Sequence, residues 1–186
     1  MTTRTPRWQH PQTSHGRSSN DTHVAVGIFY AYEAELLDHW DISSWLDLVS
    51  EDFVYRVPVP LLTDDYNQDG YDTQSLLMDE DRSSIEENWA ARMTDEHNAV
   101  SWADSPPVRL LRLVSSVRVR HTDHEGEFLA RSNVRILMVR QSGAAKEMFG
   151  ERFDILRSND EGFTIASRFV VLTSTIIDAP RLRMLL

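Results

Sequence analysis

The chain has 186 residues, a formal net charge of −10, 41% hydrophobic residues and no cysteine. This length predicts one domain of ordinary size, large enough to hold a core without a disulfide or a metal. The lack of cysteine excludes a disulfide framework, a thiolate nucleophile and a cysteine-ligated iron–sulfur or zinc site. The acidic balance disfavours nucleic acid as a partner, because a duplex-binding protein needs a positively charged face.

Residues 1–20 are polar, with scattered proline, serine and threonine. They predict a flexible or loosely docked tail ahead of a single domain over residues 21–186. This segment has no apolar stretch of the kind found in secretory signals. No run in the chain approaches the roughly 18 consecutive apolar residues that a membrane-spanning helix needs. We therefore expect a cytoplasmic protein with no membrane partner.

Two helices are predicted after the tail. The first has its N-cap at Asp21 or Thr22 and runs to about His39, because apolar residues follow at helical spacing. The second is short and follows Asp41. Its apolar face is formed by Trp45, Leu46 and Val49. Together they predict an N-terminal helical pair.

The middle of the chain alternates in character. Residues Phe53–Val59 are typical of a strand closed by prolines. Residues 63–81 are acidic and rich in turn formers, which predicts a long surface loop. A cap at Ser83 or Ser84 then predicts a helix through Met93.

The second half of the chain predicts four long strands. Short turns join them, so they form an antiparallel meander. The strands cover residues 108–120, 128–140, 147–157 and 162–175. Helices first and strands later are typical of an α+β fold. A long curved antiparallel sheet, with the helices packed across its concave face, would form a cone.

The chain lacks four common binding and catalytic sequence motifs, GxGxxG, GxxxxGK[ST], GxSxG and HExxH. His121 and His124 flank Asp123 at a metal-like spacing, but they fall in a predicted turn that is rarely preorganised for a metal. Paired carboxylates at 64–65 and 79–81 fall in the predicted loop, where water would screen them. These patterns indicate solvated surface more strongly than chemistry.

Four polar residues on the first helix leave two interpretations open. Tyr30, Tyr32, Asp38 and His39 could face a cavity of the sheet, where a tyrosine and an acid suffice for proton transfer beside a carbonyl. Aromatic residues at helical spacing are also typical of an ordinary core.

Five patches stand in a fixed order along the chain. They are YEAELLD at 32–38 with Trp45-Leu46, WADSPPVR at 102–109 leading into VSSV at 114–117, RSNV at 131–134, ERFDILR at 151–157, and RFVVL at 168–172 with the apolar end at 182–186. In this order they resemble the small (β) subunit of bacterial aromatic-ring-hydroxylating dioxygenases, the Rieske non-haem iron oxygenases. The sequence departs from residues common in that family at Arg112, Ser116 and Thr173.

The resemblance implies the cone-shaped α+β fold of nuclear transport factor 2, also called cystatin-like. It implies a β trimer capped by three large α subunits, in an α3β3 complex that cis-dihydroxylates an aromatic compound. Each α subunit would hold a Rieske [2Fe–2S] cluster and a mononuclear iron. Electrons would come from NADH through a reductase, sometimes with a ferredoxin. The β chain would supply no catalytic residue, no cofactor-binding residue and no metal ligand.

The cations and tryptophans suit a subunit interface. Lys146 is the only lysine among nineteen cationic residues, and the chain has five tryptophans. Arginine and aromatic residues are enriched at obligate interfaces. We therefore predict burial between subunits for five residues, each of which could equally be an ordinary sheet-face or core-rim residue. They are Trp102, Arg109, Arg112, Arg131 and Arg168.

Two other functions stay open from the sequence. One is a stand-alone enzyme of the same cone fold, such as an isomerase, cyclase or dehydratase, that uses the tyrosine and acid residues of the first helix. The other is a binding module for a small apolar ligand. A cone that solvent can reach, with a tyrosine–acid pair inside, would favour catalysis. A cone filled by large side chains would favour a scaffold.

Overall fold

The computed structural model describes residues 9–11, 16–62, 64, 70–90, 108–139, 143–175 and 185–186. Three α-helices are α1 (Asn20–Asp38), α2 (Ile42–Leu46) and α3 (Arg82–Ile85), and a π-helical turn (Glu86–Ala90) continues α3. Six strands are β1 (Val49–Pro60), β2 (Tyr71–Asp81), β3 (Arg109–His121), β4 (Glu127–Val139), β5 (Lys146–Asn159) and β6 (Gly162–Leu172).

All six strands form one sheet in the order β2-β1-β6-β5-β4-β3. Strands β3 to β6 pair antiparallel in sequence, so the predicted meander is confirmed. Strand β1 then pairs parallel with β6, and β2 pairs antiparallel with β1. The sheet therefore has β2 and β3 as its two edge strands. The predicted α+β class, with helices at the N-terminal side of the sequence, is confirmed as well.

Helix α1 lies along edge strand β3. Its N-cap is Ser19 rather than the predicted Asp21 or Thr22, and the Ser19 hydroxyl accepts a hydrogen bond from the Thr22 N–H at 3.0 Å. At one end of the helix, the Asp38 carboxylate accepts from the backbone N–H of Arg112 at 2.8 Å. At the other end, Nε2 of His23 accepts from the backbone N–H of Val119 at 3.1 Å. These bonds satisfy backbone donors that an edge strand would otherwise expose.

The segment before α1 also contacts β3. Arg17 pairs antiparallel with Arg120, and the Ser18 N–H donates to the Val119 carbonyl at 3.2 Å. The predicted boundary between tail and domain at residue 20 stays a prediction. No helix in the described part of the chain is both long and apolar enough to cross a membrane.

The predicted loop over residues 63–81 is wrong for its second half, because Tyr71–Asp81 forms strand β2. Among the described residues, β2 pairs with β1 alone and buries only Tyr71 and Met78, so its acidic residues stay at least partly exposed. Asp81 then caps α3, with Ser84 at the third helical position as its capping-box partner. The predicted helix end at Met93 lies outside the described residues.

Gly150 marks the close approach of β5 and β6. A Cβ at this position would lie 3.1 Å from Cγ1 of buried Val170 and 3.3 Å from the Val171 carbonyl oxygen. We expect Gly150→Ala to lower the free energy of unfolding by about 1–3 kcal/mol, since an overpacked sheet must shift to make room. Urea unfolding measures the change. Gly27→Ala, in α1 with no atom within 4 Å of the new Cβ, should instead be neutral or stabilising. Equal effects of the two variants would contradict the prediction.

Candidate functional site

The space between α1 and the sheet holds four charged side chains that are at most 1% exposed. We call Glu33, Arg152, Asp154 and Arg168 the buried charge cluster. Glu33 lies on α1, in line with the core residues Val26, Tyr30 and Leu37. Arg152 and Asp154 lie on β5 and Arg168 on β6, on the same face as the apolar core residues Leu156 and Val170. The cluster therefore joins the helix to the centre of the sheet.

Each charge in the cluster has a partner of opposite sign. Arg168 donates to both Asp154 oxygens, from Nε at 2.9 Å and from Nη2 at 2.8 Å. Its Nη1 lies 2.6 Å from Oε1 of Glu33. Arg152 donates from Nη1 to Oε2 of Glu33 at 3.1 Å and from Nε to Ser132 Oγ at 3.1 Å. Two carboxylates and two guanidinium groups balance, as burial requires.

Arg152 also stacks on an aromatic ring. Its guanidinium carbon lies 4.5 Å from the centre of the Tyr30 ring, a cation–π contact. Its Nη2 has no hydrogen-bond partner among the described residues. The indole N–H of Trp45 donates to Oε1 of Glu33 at 3.1 Å. The cluster is thus enclosed by aromatic side chains.

The electrostatics hold Glu33 in its charged form. Burial alone would raise the pKa of this carboxyl, but the opposing attraction of Arg168, followed by that of Arg152, lowers it to about 2. For Arg168, burial acts to lower the pKa, but Asp154 and Glu33 outweigh it and raise that pKa well above its usual value. Neither group exchanges its proton in the range where enzymes work.

A tyrosine–acid pair does exist inside the fold. The Tyr30 hydroxyl donates to Oδ2 of Asp154 at 2.8 Å, and burial, followed by the charge of Asp154, raises the pKa of Tyr30 well above 10.0. The same carboxylate already accepts both bonds from Arg168. A carboxylate that is buried and already bonded in this way is not open to a substrate, so the geometry fits a structural role.

The final two residues fill the same interior. Leu185 and Leu186 are buried, and the Leu185 carbonyl accepts from Nη2 of Arg112 at 2.9 Å. The Leu186 carbonyl accepts from Nη1 of Arg168 at 3.0 Å, and its N–H donates to the Tyr55 hydroxyl at 3.2 Å. Burial raises the pKa of Tyr55 to about 12. These two residues therefore belong to the same packed core as the buried charge cluster.

Two surface grooves are lined by described residues, and neither reaches the buried charge cluster. One, of about 330 Å³, has acidic walls formed by Glu51, Asp52, Asp81 and Glu86 beside Arg82. The other, of about 300 Å³, is lined by Arg17, His23 and residues 117–120. We call them the acidic groove and the arginine groove.

The structure does not bring the four candidate pocket residues of α1 together. Tyr30 points into the core, whereas Tyr32 is 49% exposed. Asp38 lies 2.6 Å from Nη1 of Arg112 in an ion pair beside β3, and His39 is exposed at the C-cap of the helix. Tyr30 and Tyr32 are two positions apart and point in different directions, whereas Asp38 and His39 lie about two turns further along the helix.

The structure places four of the five predicted interface residues, and Trp102 lies outside the described residues. Arg109 is exposed, and Arg131 pairs with Glu151 while lying 5.3 Å from the Phe153 ring centre. Arg112 and Arg168 are buried within the chain. Burial between subunits stays a prediction for all five.

The other candidate metal-binding or acid–base residues lie far from one another in the fold. His121 ends β3 and His124 lies in the following turn, whereas Asp79–Asp81 ends β2 at the opposite edge of the sheet. The described residues contain no group of three histidine, aspartate or glutamate side chains that could hold a metal ion. A Rieske cluster needs two cysteine ligands as well as two histidines, and this chain has no cysteine. The residues present therefore do not fit that cluster.

Sequence reasoning missed three members of the buried charge cluster. Glu33, Arg152 and Asp154 were noted only as parts of family patches. The sequence did contain an indication of this site. Side chains alternate between the two faces of a strand, so Arg152 and Asp154 lie on the same face as Met148 and Leu156. Charged residues on the apolar face of a strand indicate a buried ion pair. Glu33 lies in the apolar stripe of α1 and is a negatively charged partner for such a pair.

Comparison with known proteins agrees with this architecture. The β subunit of 3-phenylpropionate/cinnamic acid dioxygenase from Photorhabdus laumondii subsp. laumondii is 29% identical over 167 residues, covering 87% of this chain and 89% of that one. A solved naphthalene 1,2-dioxygenase with bound indole aligns with a TM-score of 0.76 at 20% identity, covering 91% of this chain and 88% of that chain. An NTF2-like protein of cystatin-like fold from Novosphingobium aromaticivorans aligns with a TM-score of 0.53 at 16% identity, covering 84% of each chain. The predicted fold family is confirmed.

The family assignment rests on most of the chain. Residues 32–179 match the family described as "Ring hydroxylating beta subunit". Except for the apolar end at 182–186, this range contains the five sequence patches that carry the resemblance, and it includes every member of the buried charge cluster. The chain belongs to the β-subunit family of ring-hydroxylating dioxygenases.

Proposed function

We propose that this β subunit is a non-catalytic scaffold that trimerises and supports iron-bearing α subunits in an α3β3 dioxygenase. The observation that carries the proposal is the filled interior, where the buried charge cluster and Leu185–Leu186 occupy the place of a substrate. A stand-alone isomerase, cyclase or dehydratase is not favoured, because the tyrosine–acid pair is sealed from solvent. A small-ligand module would need the same interior space.

The redox groups belong to the partner in this proposal. The α subunit would hold the Rieske [2Fe–2S] cluster and the mononuclear iron, and electrons from NADH would reach it through a reductase, with or without a ferredoxin. The absence of cysteine in the whole sequence supports this division. Arylalkanoic acids such as 3-phenylpropionate are the first substrates to assay, given the name of the 29% identical relative. The cytoplasmic location stays a prediction.

The test is a tyrosine variant in the assembled enzyme. The chain is co-expressed with its α subunit, and NADH-dependent oxidation of an aromatic acid is measured per bound iron. We expect Tyr30→Phe to change this rate less than about twofold, since Arg168 still satisfies Asp154. Tyr32→Phe on the exposed face of α1 is the matched control. A loss of about 100-fold or more in Tyr30→Phe alone, with assembly intact, is the size expected of a catalytic acid and would contradict the scaffold role.

A further inference from the structure

The two edge strands of the sheet carry opposite charge. Edge strand β2 contains four acidic residues and no lysine or arginine. Edge strand β3 contains four arginines and no acidic residue. All but Arg112 of these eight side chains are at least partly exposed. In a chain of net charge −10, a strand with only positive charge is a local exception.

Residues that pair from strand to strand form rows across the sheet, and opposite charges lie at the two ends of two of these rows. One row runs from Arg120 through Leu129, Ile155, Ser167 and Val54 to Asp81. The next row runs from Arg118 through Arg131, Phe153, Phe169 and Arg56 to Asp79. Five strand spacings separate the ends of each row, about 24 Å. Each row therefore has an arginine at one edge and an aspartate at the other.

The side chains at both ends lie on the outer face of the sheet. Val119, between Arg118 and Arg120, is buried on the inner face, so the two arginines point outward. Neither makes an ion pair in the described part of the chain, although Arg17 and His23 line the same arginine groove. At the other edge, Asp79 pairs with Arg56 at 3.0 Å but keeps about half of its side chain exposed.

The backbone at the arginine edge is already occupied. The Val119 N–H donates to His23 and the His121 N–H donates to the Gly16 carbonyl. A partner at this edge therefore binds through side chains rather than by extending the sheet. Two exposed arginines on one groove are complementary to an anionic surface, and the chain carries one of comparable size in its acidic groove.

We propose that copies of this chain associate head to tail, with the arginine edge of one copy against the acidic edge of the next. The contact joins Arg118 and Arg120 to Asp79 and the acidic groove of the neighbour. It rests on the proposed function, which requires that the β chains associate. In an open head-to-tail chain, one arginine edge and one acidic edge stay without a partner, and both are paired once the chain closes into a ring. Its strength should fall with salt, because exposed charges are screened beyond about 10 Å at 0.1 M ionic strength.

The experiment exchanges charges between the edges. R118E/R120E alters the arginine edge, and E51R/D79R alters the acidic edge while leaving the helix cap Asp81 in place. Each variant should lose the wild-type oligomer and show the mass of a single β chain by light scattering, with an unchanged circular dichroism spectrum. The variant with all four substitutions should recover the wild-type mass. R135E/K146E makes the same change in net charge as R118E/R120E, but away from the edges, and should keep the oligomer.

The outcomes separate the inference from the proposed function. Masses are measured for the chain alone and for the chain co-purified with its α subunit. If the folded single-edge variants keep the wild-type mass, or the four-substitution variant stays dissociated, the head-to-tail contact is wrong. If R118E/R120E loses only the α subunit, the arginine edge binds an acidic segment of α instead, which also overturns it. A wild-type chain that never self-associates, even with α, refutes the scaffold trimer itself.

Discussion

Replacing Arg168 with methionine is expected to lower the free energy of unfolding by about 3–5 kcal/mol. The methionine fills much of the same volume but leaves Glu33 and Asp154 buried without their shared cation. Arg152 still contacts Glu33, yet it has no bond to Asp154. This loss is a large part of the roughly 5–15 kcal/mol that stabilises a typical domain. We expect the variant to unfold at a lower urea concentration than the wild-type chain and to co-purify less well with the α subunit.

Urea unfolding measures the change, and Arg157→Met is its control. Arg157 pairs with Asp52 at 2.7 Å and with Glu127, but its side chain is 44% exposed. Removing a surface pair of this kind costs about 1 kcal/mol or less. Similar losses in the two variants would mean that the cluster stabilises the fold no more than a surface ion pair does.

The second large effect is a loss of stability in acid. The pKa of Glu33 is about 2 in the folded chain, against 4.5 for the free side chain. Because the folded value is depressed, this carboxyl stabilises the fold above about pH 4.5, and that stabilisation is lost as the pH falls towards about 2. At 1.36 kcal/mol per unit, the loss is roughly 3 kcal/mol. Urea unfolding between pH 7 and pH 2 should show it.

Glu33→Gln tests the assignment of this acid sensitivity. The variant starts from a lower stability, and its stability should fall less between about pH 4.5 and 2, since the titrating group is gone. Asp52 also has a pKa of about 2, because Arg157 and Ser50 donate to it, but it lies at the surface. Molar salt should therefore weaken the Asp52 contribution and leave that of Glu33. An unchanged pH slope in Glu33→Gln would place the acid sensitivity elsewhere.

The local pattern of apolar and polar residues was sufficient to predict the strands that have one apolar and one polar face. Strands β3 to β6 alternate apolar and polar residues, and short turns join them, so their order follows from the sequence. Strand β2 escaped prediction because an edge strand in water can be built from acidic and turn-forming residues. Its pairing with β1 is a tertiary contact, which the local sequence of residues 71–81 does not reveal.

The candidate site was harder to predict because its partners are far apart. Glu33 and Arg152 are separated by 119 positions, and Tyr30 and Asp154 by 124. Sequence spacing gives the face on which each charge lies but not the element that covers it. The prediction that the first helix covers the sheet was available, but the choice between a catalytic acid and a buried ion pair needed the distances to Arg168.

The parallel pairing of β1 with β6 has a consequence for how the chain folds. It joins Val54 to Ser167, so the seam between the β1–β2 pair and the meander depends on one of the most distant contacts in the molecule. A topology dominated by such contacts folds slowly, on the order of milliseconds to seconds. Until β1 docks, the meander exposes β6 as an apolar edge, with Phe169, Val170 and Val171 open to another chain. Misassembly during synthesis should therefore start at β6, and early contact with partner subunits would limit it.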